Sequence, residues 1–82
     1  GGHYMYGVFL NEAGRHDEAI LQYGAEIRIR PDFAPAHLNL ALTYNFHSGN
    51  PNLAANHYRR HLALGGTPVP ALEAVLQDLE SP

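Results

Sequence analysis

Apolar residues along the chain recur with helical spacing, and no stretch alternates with period two. Glycine and proline interrupt them at Gly14, Pro31, Gly49 to Pro51, Gly65-Gly66 and Pro68 to Pro70. Five segments of roughly 10 to 15 residues remain, each of helix length. In the second, Ile20, Tyr23 and Ile27 fall at i, i+3 and i+7 with Ala19 beside them, leaving Asp17, Glu18, Gln22 and Arg28 for water. Asp17 and Glu18 suit the positive end of this helix, and Arg28 and Arg30 the negative end before Pro31. The fourth segment opens on Asn50 as N-cap and Pro51 in the first turn, and its inner stripe is Ala54, Tyr58 and Leu62. The last sets Leu72, Val75, Leu76 and Leu79 opposite Glu73, Gln77, Asp78 and Glu80. The pattern predicts an all-α chain of about five antiparallel helices.

The segments also repeat. His3 and His37 are 34 residues apart, as are Gly7 and Ala41, while Ala19 and Ala54, Tyr23 and Tyr58, and Ile27 and Leu62 are 35 apart. The change of spacing places one inserted residue before Gly49, at a helix-helix turn where an extra residue is tolerated best. A fixed period of this size marks stacked supersecondary units.

These positions resemble the tetratricopeptide repeat, a helix-turn-helix with the pattern W-x-x-L-G-x-x-Y, then A-x-x-x-F, then P. In the first unit the matching residues are His3, Tyr6, Gly7, Leu10, Ala19, Tyr23 and Pro31; in the second, His37, Leu40, Ala41, Tyr44, Ala54, Tyr58 and Gly66. Histidine replaces the tryptophan twice, and Gly66 stands where the family has proline. The resemblance implies a short right-handed superhelix in one domain, with unit one over residues 1–31, unit two over 32–66 and a capping helix over 67–82. Small residues at Gly7, Ala41, Ala19 and Ala54 fit helices that cross closely. Such stacks usually need three or more units. Together with the Gly1-Gly2 start, this leads us to expect either an excerpt of a longer array or an end covered by another copy.

The family binds ligands on the surface lined by the first helix of each unit. Here that implies a mainly apolar partner-binding groove of Tyr4, Val8, Asn11, Leu38, Leu42, Asn45 and Phe46, suited to an amphipathic helix or an extended apolar peptide. Val8, Leu38 and Leu42 can equally pack the first helix against the third, whereas Tyr4 and Phe46 lie toward helix ends. The lysine-rich carboxylate clamp known in the family is not matched, because Val8 and Leu42 replace amides and the chain has no lysine. The expected function is protein or peptide binding. The alternatives are homodimerisation through the uncovered run Tyr4 to Leu10, or service as the substrate-recruiting arm of a larger enzyme.

Composition narrows the classes. At 82 residues the chain buries only about 60 to 65% of its unfolded surface, and without cysteine it has no disulfide or thiolate metal site to reinforce a thin core. A net charge of −3 argues against nucleic acid. No apolar stretch approaches the ~20 residues of a membrane span, so a soluble chain is expected, with the cytoplasm favoured. Of six histidines, His57 and His61 stand i, i+4, but Arg59 and Arg60 between them oppose a cation, and no metal or cofactor is expected. His61 aligns with Glu26, and a pH-sensitive contact between the two is expected. No catalytic residues are identified: Ser48 and Ser81 lack a placed histidine and carboxylate, and no strand is present to carry a phosphate loop.

Overall fold

The structure of the chain, a computed structural model, describes residues 1–81. It is all-α. Five helices follow one another as α1 (Gly2–Glu12), α2 (His16–Ile29), α3 (Ala34–Phe46), α4 (Pro51–Ala63) and α5 (Pro70–Glu80), with no strand among the described residues. Short connections fold each helix back along its predecessor. The tightest pairs are α1 with α2 and α3 with α4, and α2 also packs on α3 and α4 on α5. The extents of 39 × 25 × 17 Å describe an elongated stack. Its shortest dimension holds about two layers of helices at the usual 8–10 Å between axes.

The punctuating residues act where the sequence places them. Gly14 and Gly49 take positive φ, 79° and 59°, in the turns that join α1 to α2 and α3 to α4. Those turns run over residues 13–15 and 47–50, so the extra residue of the 35-residue spacing sits in the second. The Asn50 side chain accepts a hydrogen bond from the Leu53 amide at 3.2 Å, capping α4. Prolines occupy the first turns of α3, α4 and α5, where no amide hydrogen is needed.

Two cores form, one on each side of α3. The first gathers Leu10, Ala19, Tyr23 and Leu40, with Tyr4, Val8, Ile20, Ile27 and Tyr44 against it. The second gathers Ala41, Tyr58 and Leu72, with Leu38, Leu42, Leu62, Val69 and Leu76 around them. Leu40 and its neighbour Ala41 thus point into different cores, which explains why α3 is apolar on two faces. Residues separated by the repeat spacing share an environment: Ala19 and Ala54 are completely buried, as are Tyr23 and Tyr58 to within 1%.

Tyr58 ties the last helix to the stack. Its hydroxyl accepts from the Val69 amide at 2.9 Å and donates to the Glu73 carboxylate. Burial pushes the phenol above its ordinary range, and the bond to Glu73 adds to the shift.

Glu26 and His61, equivalent by spacing, do not touch as expected, because each is occupied elsewhere. Glu26 accepts from the Tyr4 amide at 2.8 Å and from Arg30 Nε at 3.0 Å, with the Gly1 amino nitrogen 3.3 Å away. It is therefore a cap for α1 supplied by α2. The His61 Nε2–H donates to the Thr67 carbonyl at 2.9 Å. The Tyr4 amide is the largest cause that brings the Glu26 carboxyl from 4.5 down to about 2; burial opposes the shift, and Arg30 and the amino group reinforce it. A depressed carboxyl contributes stability that is complete above the unfolded value near 4.5 and is lost as pH falls toward 2. Chemical denaturation across pH should therefore show the wild type losing its advantage over Glu26→Gln between pH 4.5 and 2, with the difference constant between pH 5.5 and 7. A step near pH 6.5 would instead indicate coupling to a histidine.

Candidate functional site

The groove between α1 and α3 is floored by hydrogen bonds among residues of three helices. Asn11 of α1 donates from Nδ2 to the Tyr23 hydroxyl at 3.1 Å and to Thr43 Oγ1 at 2.9 Å. Its Oδ1 accepts from His16 Nδ1–H at 2.8 Å. From α3, the Asn39 amide donates to the hydroxyls of Tyr4 and Tyr23, both at 3.3 Å, and the Thr43 hydroxyl donates to the Asn39 carbonyl at 2.7 Å. Burial raises the Tyr23 phenol, and the amides of Asn39 and then Asn11 partly offset that effect. The network fixes the spacing of α1, α2 and α3, so the groove is preformed.

Above this floor lies an open cavity of about 450 Å³. Val8, Leu42 and Phe46 supply its apolar walls, and Asn11, Asn39 and Thr43 its base. Glu12, His16 and His47 stand at one end, where the two imidazoles stack with centroids 3.6 Å apart at 13°. Phe46 is 59% exposed although it is a large apolar side chain beside a concave surface.

Four of the seven residues expected to line a groove therefore meet in one cavity: Val8, Asn11, Leu42 and Phe46. The other three are placed elsewhere. Tyr4 packs against Tyr23 at 5.8 Å and edge-on to Phe33 at 5.1 Å, with its hydroxyl bound by Asn39. Leu38 packs in the second core. Asn45 is half-buried on α3 and outside the cavity lining. Asn11 lines the cavity with both amide atoms already engaged, so its part there is to hold the floor. Val8 and Leu42 lean on the two cores while facing the cavity, which makes Phe46 the cleanest handle on the groove.

Sequence reasoning missed His16 and His47. His16 opens α2 and His47 follows α3, at helix ends where periodicity carries no information, and they come together because the turns after α1 and α3 lie side by side. Of the lining residues only Glu12 carries a formal charge, and no arginine is present to receive an acidic ligand. The single aliphatic hydroxyl in the lining, that of Thr43, already gives its proton to a carbonyl.

The other histidines are tied up separately. His37 Nε2–H donates to the Pro31 carbonyl at 2.8 Å, so in its neutral form Nδ1 carries the lone pair and accepts from His57 Nδ1–H at 3.2 Å. Burial holds the His57 imidazole below its ordinary value, and neighbouring His37 lowers it further. His57 and His61, though i, i+4 on α4, thus direct their nitrogens to different partners. Among the described residues no group of three or more histidine, aspartate or glutamate side chains is placed to hold a metal, and no helix is long and apolar enough to cross a membrane. Comparison with protein-family models, with curated proteins and with solved structures finds no match.

Proposed function

We propose that this chain is a protein-interaction module, not an enzyme, that holds an apolar peptide or one face of an amphipathic helix in the groove between α1 and α3. The observation that carries the reading is the cavity of about 450 Å³ whose apolar walls are Val8, Leu42 and the exposed Phe46. The polar atoms of its base are spent on one another, so they shape the groove and leave specificity to side-chain fit and to Glu12. Glu12 at one end favours a partner that carries a cation beside its apolar anchors, the opposite of an acidic tail. The 34- and 35-residue spacings, with matched burial of Ala19 and Ala54 and of Tyr23 and Tyr58, support a tetratricopeptide-like pair of units closed by α5 and arranged as a short right-handed superhelix.

Selection from a displayed library of helical peptides tests the proposal. Bound sequences should place an apolar anchor within one or two turns of lysine or arginine. Phe46→Ala should weaken them by about 10-fold or more, the cost of removing a central aromatic contact. Recovered peptides that bind wild type and Phe46→Ala equally would contradict the groove.

A further inference from the structure

The repeat register identifies a second contact surface, on the face of α1 next to the one that lines the groove. Asn39, Leu40 and Thr43 are the residues through which α3 packs against the preceding helix pair. Leu40 lies in the first core, Asn39 bonds Tyr4 and Tyr23, and Thr43 bonds Asn11. Thirty-four residues earlier stand Met5, Tyr6 and Phe9. In α1 these are 65%, 47% and 60% exposed, although they are more apolar than their counterparts. Tyr6 and Phe9 already stack, with ring centroids 6.4 Å apart at 19°. Three large apolar side chains on one exposed helix face mark an interface.

We infer that a second copy of this chain docks on that face, α1 against α1 across a two-fold axis. Charge favours this occupant. From Gly2 to Asn11 the helix carries no charged side chain, so two copies meet there without like-charge contact even though each carries a net −3. A head-to-tail contact has a poorer counterpart, because at the other end of the stack α5 exposes one large apolar side chain, Leu79 at 39%, among Ala71, Ala74, Gln77, Asp78 and Glu80. The isologous arrangement remains. In an antiparallel α1 pair with its axis between Met5 and Tyr6, Phe9 of each copy lies over Gly2 of the partner subunit. Space is open there, since no atom of this chain lies within 4 Å of where a Gly2 Cβ would be. The face shares no residue with the groove, which α1 lines with Val8, Asn11 and Glu12, so this inference stands apart from the proposed peptide binding.

Light scattering of the 82-residue chain between about 1 μM and 1 mM, the span of ordinary dimer affinities, tests it. The molar mass should rise with concentration from 9.0 kDa toward twice that value. Phe9→Glu and Met5→Lys, both at exposed positions and each checked by circular dichroism for unchanged helix content, should shift the midpoint at least 10-fold upward. Phe46→Ala in the groove should leave it in place. A wild-type mass of 9.0 kDa at every concentration would overturn the inference and leave the face to a preceding helical unit or another protein. Dimerisation unaffected by both α1 variants, or abolished by Phe46→Ala, would overturn it equally.

Discussion

Tyr58→Ala should destabilise the chain by about 3 to 5 kcal/mol, the usual cost of deleting a buried large aromatic side chain. Against the roughly 5 to 15 kcal/mol that holds a small domain together, and with only 82 residues to share it, that loss should leave much of the population unfolded at 37 °C. The ring is fully buried in the second core, and its hydroxyl joins the α4–α5 connection to α5 through Val69 and Glu73. Tyr58→Phe separates the two contributions. It keeps the ring but strands the Val69 amide, so it should cost about 1 to 3 kcal/mol, and hydrogen exchange should speed up first in α5. Urea denaturation of the three proteins checks this. Equal stability of wild type and Tyr58→Phe would mean that the hydroxyl does not anchor the last helix.

Gly7→Ala gives the second large effect, and its sign is diagnostic. In an unobstructed helix interior this exchange stabilises by up to about 1 kcal/mol, because alanine is the better helix former. At Gly7 a Cβ would stand 2.7 Å from Tyr23 Cε1 and 2.9 Å from Cδ1. The Tyr23 ring has no room to retreat: it is 1% exposed and its hydroxyl is held by Asn11 and Asn39. Overpacking of this kind costs about 1 to 3 kcal/mol, so the variant should melt lower despite its improved propensity. Gly24→Ala, where nothing lies within 4 Å of the new Cβ, should melt at or above the wild type. Tyr23→Leu should lessen the penalty of Gly7→Ala, since the clash is with the ring.

Much of the fold was legible because its devices are local or periodic. The five helices, the cap at Asn50 and the small residues at Ala19 and Ala54 follow from punctuation and spacing. Side-chain bonds between distant segments were not legible. Glu26 aligns with His61 and reads as its partner, yet the Tyr4 amide of α1 takes the carboxylate, while His61 is taken by the loop carbonyl of Thr67. In the groove, Val8, Leu42 and Phe46 were readable as an apolar stripe that the helix pairs could leave facing solvent. Tyr4 looked equally free, but Phe33, in the connection between α2 and α3, folds against its ring edge-on, and no period predicts where a loop aromatic will land. Asn11 looked like a ligand-binding amide because a sequence does not show how many partners an amide already has.

The central claim, that the groove between α1 and α3 receives a partner segment, is tested most directly by heteronuclear NMR of the chain titrated with a selected peptide. The account predicts that the largest shift changes fall on the methyls of Val8 and Leu42, the ring of Phe46 and the amides of Glu12 and His47, with the exposed sides of α2 and α5 unchanged. Perturbation centred on Met5, Tyr6 and Phe9 or on α5, with Val8, Leu42 and Phe46 unmoved, would contradict it.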